Sequence, residues 1–114
     1  MTSPVVPCAA IYLDVEDTLV PSTADSRISP EKMVARVREL AQKGAGLYLW
    51  SRQGAEHARR VAVERGIEDC FRGFLPKPEV IIDAQALEDW TISEIHPVAS
   101  TAVRLEDILR IQRG

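Results

Sequence analysis

The chain has little of several features that would mark a specialised class of protein. Its 114 residues include only two cysteines, Cys8 and Cys70, and no CxxC pair, so we expect two free thiols and neither a zinc site nor a dithiol redox site. No apolar run approaches the ~20 residues of a membrane span, and residues 1–10 lack the basic and apolar regions of a secretory signal. These absences predict a cytoplasmic protein without a membrane partner.

Positive charge is also scarce. Lys and Arg number 14 against 17 Asp and Glu, which leaves a net charge of −3. We therefore expect no nucleic-acid partner. One basic group departs from this balance and is predicted to be a solvated helix face: Arg52, Arg59, Arg60 and Arg65.

What the chain does have is an alternation of short apolar runs and helix-period segments. Apolar residues make up 46% of the chain, and the length suits a single domain over residues 1–114. The order predicts a single-domain α/β protein with a doubly wound, Rossmann-like, mostly parallel sheet and helices on both faces. The predicted strands cover 9–13, 46–50, 70–75 at an edge, 79–82 and, weakly, 91–98, and the predicted helices start at Pro30, at Ala55 and at Val103.

Three of these apolar strands end on a polar residue, namely Asp14, Ser51 and Asp83. In an open parallel sheet, ligands bind at the carboxyl ends of the strands, so the three side chains are predicted to share a site with Lys77, which stands between two prolines. A carboxylate can attack phosphorus, a lysine can offset the developing charge, and Mg²⁺ takes oxygen ligands. The pattern favours phosphoryl chemistry with Mg²⁺ as cofactor.

The same residues carry a resemblance to a known family. The run from Ile11 to Val20, with Asp14-Val15-Glu16-Asp17-Thr18 at its centre, resembles the first signature of the haloacid dehalogenase-like hydrolases. The strand ending at Ser51, then Lys77, then the run Val80-Ile81-Ile82-Asp83 are similar to the three later signatures, in family order.

The resemblance implies a Mg²⁺-dependent phosphomonoester hydrolase that works through an aspartyl-phosphate. It assigns the catalytic roles to Asp14 as nucleophile and Glu16 as general acid and base. The implied metal ligands are Asp14, Glu16 and Asp83, and the implied phosphate-binding residues are Thr18, Ser51, Arg52 and Lys77. The gap from Val20 to Ser29 is too short for a cap domain. Capless relatives take large phosphorylated substrates or use a neighbouring subunit as a lid.

Two departures from the family pattern leave alternatives open. Glu16 is one methylene longer than the usual Asp, with Asp17 as a substitute carboxylate, and Ala84 stands where many relatives have a second Asp. One alternative is therefore a catalytically impaired binding protein on the same scaffold. A separate alternative, suggested by the similar length and by the Asp, Ser and Lys set with Mg²⁺, is a receiver-type phosphoacceptor domain, although receivers place the phosphorylated Asp on a middle strand. We expect Trp50 to be a core residue rather than a platform for substrate, and Trp90 to be either a lid or a packing anchor.

Overall fold

A three-stranded parallel sheet forms the centre of the fold. The computed structural model of the chain describes residues 9–16, 18–20 and 29–110. The strands are β1 (Ala10–Asp14), β2 (Gly46–Ser51) and β3 (Phe71–Pro76), in the spatial order β1-β2-β3. All three agree with predicted strands, and the α/β class with a parallel sheet is confirmed.

Two helices connect the strands, and both begin close to where the sequence predicts. Helix α1 (Pro30–Gln42) follows β1 and α2 (Ala55–Glu64) follows β2. Ser29 caps α1 by accepting a hydrogen bond from the backbone N–H of Lys32 at 3.3 Å, and a proline occupies the first turn. Gly44 follows α1 with a φ of 91°, a left-handed conformation that glycine adopts without strain.

One core lies between this sheet and the two helices. Leu47 and Leu49 of β2 are fully buried, and they pair in register with Ile11 and Leu13 of β1. The helices cover these residues with stripes at helical spacing, because apolar positions three and four apart share one helix face. The buried stripe residues are Met33, Val37 and Leu40 of α1 with Ala58, Val61 and Ala62 of α2.

The opposite face of β1 and β2 carries aromatic side chains. Tyr12 and Tyr48 are paired in register, and Trp50 pairs with Asp14. The ring centroids lie 4.9 Å apart for Tyr12 and Tyr48 and 5.0 Å apart for Tyr12 and Trp50. We call Tyr12, Tyr48 and Trp50 the aromatic row. The expected burial of Trp50 in the core is only partly realised, because this side chain is half-buried.

The predicted strand over 79–82 is wrong. The chain from Glu79 to Asp83 forms no strand, and the side chains of Val80, Ile81 and Ile82 are 79%, 44% and 98% exposed. An apolar run becomes a strand only where a sheet edge pairs with its N–H and C=O groups. Here the chain leaves the sheet after Pro76, and the run pairs with no strand in the described part of the chain.

The weak strand predicted over 91–98 is also wrong. Residues 91–96 have no regular structure, and helix α3 (Pro97–Ala102) begins at the proline that was expected to cut a strand short. Proline suits the first turn of a helix because its missing N–H has no partner there. The Nδ1 atom of His96 accepts from the backbone N–H of Val98 at 3.2 Å, which caps the helix.

Helix α3 rests against α1, and Ile108 of the helix that follows it belongs to the core. Helix α4 (Leu105–Arg110) lies within the predicted closing helix of residues 103–111 but starts two residues later. The Arg36 side chain of α1 donates to the backbone oxygen of Val103 at 2.7 Å, which ties the end of α3 to α1. Of the two cysteines, Cys70 is a free thiol as predicted, and Cys8 lies outside the described residues. Within the part of the chain that the structure describes, no helix is both long and apolar enough to cross a membrane.

Candidate functional site

Asp14 stands at the carboxyl end of β1, at the start of a tight turn. The backbone N–H of Val15 donates to the backbone oxygen of Trp50 at 3.1 Å, and the backbone oxygen of Val15 accepts from the Leu19 N–H at 3.0 Å. Val15 and Leu19 are fully buried, so the turn is anchored by apolar side chains. Thr18, predicted to orient this loop, is buried within it. The turn therefore holds the Asp14 carboxylate at the sheet edge.

Ser51 and Glu16 bind each other directly. The Ser51 hydroxyl is fully buried and donates to Glu16 Oε1 at 3.0 Å, with Oε2 at 3.3 Å. The same Oγ accepts from the backbone N–H of Gln53 at 3.0 Å. The structure thus brings together two predicted site residues, but it joins them by a bond that occupies the Ser51 proton.

The end of β3 brings Lys77 to the same place. The Ser51 backbone oxygen accepts from Lys77 N–H at 2.9 Å and from Gly54 N–H at 3.0 Å, which ties β3 and the start of α2 to the end of β2. From there the Lys77 side chain reaches Asp14, with 3.7 Å between Nζ and Oδ2. A lysine predicted from a proline-flanked loop therefore forms an ion pair with the predicted nucleophile.

The Asp14 carboxylate is in an unfavourable environment for a charge. Partial burial raises its pKa above the usual 3.8, and the nearby Glu16 adds to this, while Lys77 and, more weakly, Arg52 oppose it. Arg52 itself is exposed. Among the described residues, Asp14 Oδ1 is buried without a hydrogen-bond partner. A buried carboxylate oxygen without a partner is costly, and a bound cation or a donor on a ligand would relieve it.

Asp83 does not join this group. Its side chain is exposed, and Oδ1 accepts from the backbone N–H of Gln85 at 2.8 Å in a local turn. The strand end on which its metal role rested is absent, which corrects the predicted placement beside Asp14. Across the described ranges, no set of three His, Cys, Asp or Glu side chains is arranged to hold a metal ion. Asp14 and Glu16 are the predicted metal ligands that stay together; Asp17 lies outside the described residues.

A cleft of about 900 Å³ runs along β1 and includes Asp14 and Glu16 in its lining. Two members of the aromatic row, Tyr12 and Trp50, line it as well, and Trp90 contributes from the segment after β3. Sequence reasoning did not assign Tyr12 to the site. The available signal was the period of two along a strand, which puts residue 12 on the same face as Asp14.

Comparisons with protein-family models, with curated proteins and with solved structures give no match for this chain. The case for a function therefore rests on the residues and geometry described above.

Proposed function

We propose that the protein is a Mg²⁺-dependent phosphomonoester hydrolase of the haloacid dehalogenase-like kind, with Asp14 as its nucleophile. The observation that carries the proposal is the state of this carboxylate: one oxygen is buried without a partner among the described residues, and the other lies 3.7 Å from the Lys77 ammonium. Partly desolvated carboxylates beside a cation at the carboxyl ends of parallel strands are typical of catalytic sites.

The residues present fit a magnesium ion in part. Asp14 Oδ1 and the backbone carbonyl of Glu16 would offer two hard oxygen ligands, and Mg²⁺ in phosphoryl-transfer sites usually takes one or two carboxylates besides water and substrate. When bound there, the ion would offset charge on the phosphoryl oxygens. We assign no such role to Asp83, which lies outside the site.

The chain's own groups account for the two chemical steps. An Asp14 oxygen attacks phosphorus while the bond from phosphorus to the ester oxygen breaks, and Glu16 gives that oxygen a proton. Lys77 stabilises the negative charge on the group in transfer, with Arg52 nearby. Water then attacks phosphorus, Glu16 takes its proton, and inorganic phosphate leaves the regenerated Asp14 carboxylate.

In this proposal the three strands are part of a doubly wound core that works without a cap, in the cytoplasm. The open cleft along β1 suits a substrate that is large or that a neighbouring subunit encloses. Thr18 supports the loop after Asp14, and Ser51 contacts a phosphoryl oxygen once its hydroxyl leaves Glu16.

One observation favours a second candidate, a non-catalytic binding protein on the same scaffold. Glu16 accepts the Ser51 proton with both oxygens, so the general acid and one phosphate ligand are engaged with each other. A substrate must exchange this bond for contacts of its own. If it does not, phosphate or Mg²⁺ would bind without turnover.

The test is a phosphatase screen over many phosphomonoesters, with Mg²⁺ and with excess chelator. We expect Mg²⁺-dependent turnover for the parent and none for Asp14→Asn. The control is Asp69→Asn, which removes an exposed acid that has no part in the proposed site. A parent rate in Asp14→Asn would reject the covalent mechanism, and full activity in chelator would reject the metal. The variant Asp83→Asn tests whether Asp83 is a metal ligand. A higher Mg²⁺ concentration required for its activity would show that Asp83 takes part in binding the ion.

Two further measurements distinguish the hydrolase from the other two proposed classes of protein. Aspartyl-phosphate that persists after treatment with acetyl phosphate would indicate a receiver-type phosphoacceptor instead of a hydrolase. Binding of phosphate or Mg²⁺ by calorimetry without turnover of any substrate would indicate the binding protein.

A further inference from the structure

The cleft beside Asp14 has one wall that the proposed chemistry does not use. Tyr12 and Trp50 line this wall, and Trp90 lines the same cleft from the segment after β3. Asp14 is their neighbour in the sheet, since it pairs in register with Trp50 and follows Tyr12 by two residues on the same face. Two residues of a strand span about 7 Å. A group attached to a phosphoryl at Asp14 would therefore lie within reach of the Tyr12 and Trp50 rings.

The rings are arranged so that a flat surface stays available. Tyr12 and Tyr48 are stacked, with 19° between their planes, and Trp50 is tilted by 50° against Tyr12. Tyr12 nevertheless remains 48% exposed. Trp90 is held by a hydrogen bond from its Nε1 to the Gln85 backbone oxygen at 3.1 Å. An exposed aromatic surface in a cleft that a second indole also lines is a typical stacking platform for planar rings.

We propose that this cleft binds the leaving group of the substrate, and that the leaving group carries a planar aromatic ring, as in a nucleoside or aryl phosphate. The proposal rests on the proposed hydrolase, because it places the phosphoryl group at Asp14. Charge agrees with the orientation: the cation Lys77 stands at the Asp14 end, where the phosphate would lie, and the adjacent rings of Tyr12 and Trp50 carry no charge. Stacking on Tyr12 and Trp50 then selects substrates by the flatness of the leaving group.

The first experiment measures kcat/KM for four monophosphates: a nucleoside 5′-monophosphate, 4-nitrophenyl phosphate, glycerol phosphate and hexyl phosphate. We expect both ring substrates to exceed both ring-free ones, and Tyr12→Leu to lower the ratio of ring to ring-free kcat/KM by about tenfold. Tyr12→Phe keeps the ring and should keep most of that ratio. Equal rates for ring and hexyl substrates would overturn the proposal, since an apolar wall alone would then explain binding.

A second measurement is independent of turnover. Adenosine and 4-nitrophenol, which carry the rings without phosphate, are titrated against the full chain with tryptophan fluorescence as the readout. We expect saturable binding by the parent and about tenfold weaker binding by Tyr12→Leu, with circular dichroism and thermal unfolding confirming that the variant is folded.

The two measurements distinguish failure of this inference from failure of the proposed function. Ring binding that depends on Tyr12, without hydrolysis of any phosphate, would keep the ring site and reject the hydrolase. Hydrolysis without preference for rings and without binding of either free ring would keep the hydrolase and reject the ring site. Adenosine binding without 4-nitrophenol binding, or the reverse, identifies which of the two sources supplies the ring.

Discussion

Replacing Ser51 with alanine tests how the site is held together. The side chain is fully buried, and its one hydroxyl both donates to the Glu16 carboxylate at 3.0 Å and accepts from Gln53 N–H at 3.0 Å. Alanine keeps the shape of the residue except for the hydroxyl, so the cavity term is small. The effect on stability should come almost entirely from the two lost hydrogen bonds.

The size of the effect follows from those two bonds. A hydrogen bond to a charged group contributes about 1.5–3 kcal/mol, and the bond between Ser51 and Glu16 belongs at the low end because it is only partly buried. Leaving the Gln53 N–H without its acceptor costs about 1 kcal/mol more. Ser51→Ala should therefore lower the free energy of unfolding by about 2.5 kcal/mol, which corresponds to a fall in Tm of roughly 10 °C for a domain of this size.

Urea denaturation with a double-mutant cycle measures this coupling. The cycle compares Ser51→Ala, Glu16→Ala and the double variant, and we expect a coupling free energy of about 1 kcal/mol or more. Arg52→Ala is the matched control, because this neighbour is exposed and its removal should change stability by less than about 0.5 kcal/mol. A coupling free energy near zero would refute the reasoning, since it would mean that the bond between Ser51 and Glu16 contributes nothing in water.

Two further predictions concern the carboxylates. Burial raises the pKa of Asp14, so its ionisation opposes folding: the penalty is absent below the unfolded value of 3.8 and grows as pH rises through the higher folded value. Asp14→Asn should therefore have a higher Tm than the parent at pH 7 and an equal Tm near pH 3, and a lower Tm at pH 7 would contradict the assigned cause. In steady-state kinetics, Glu16→Gln should be slower than the parent because an amide cannot exchange the proton, a role typically worth about 10²–10⁴-fold. Glu16→Asp should raise kcat, since the shorter carboxylate is freed from Ser51; unchanged rates in both variants would remove Glu16 from the chemistry.

The part of the site built on the sheet was predictable from the sequence. Asp14, Ser51 and Lys77 each follow an apolar run, and the three strands are parallel neighbours whose carboxyl ends meet at one edge. Local signals were also sufficient for α1, because Ser29, the proline after it and the spacing of Met33, Val37 and Leu40 all agree. In both cases the information lies within a short stretch of chain.

The segment after β3 was not predictable in the same way. Val80-Ile81-Ile82 has the composition of a buried strand, yet whether it pairs depends on a sheet edge supplied by residues distant in the chain. Pro97 was ambiguous for a related reason, because a proline can interrupt a strand or begin a helix. The conformation of the neighbouring residues determines which of the two occurs, and here Pro97 begins α3. Because the predicted strand before it is absent, Asp83 lies in an exposed turn, whereas Asp14 stands at a strand end as predicted.

The contact between Ser51 and Glu16 was also beyond the sequence, and it bears on how the site would work. Both residues were predicted to serve a phosphorylated ligand, but in the structure each satisfies the other. Asp14 differs, because one of its oxygens is buried without any partner among the described residues. A ligand that brings a cation to Asp14 would relieve the least favourable group in the site and would compete with Ser51 for Glu16. If the proposed site binds a phosphorylated ligand, the free energy of that exchange would decide between the proposed hydrolase and the alternative binding protein.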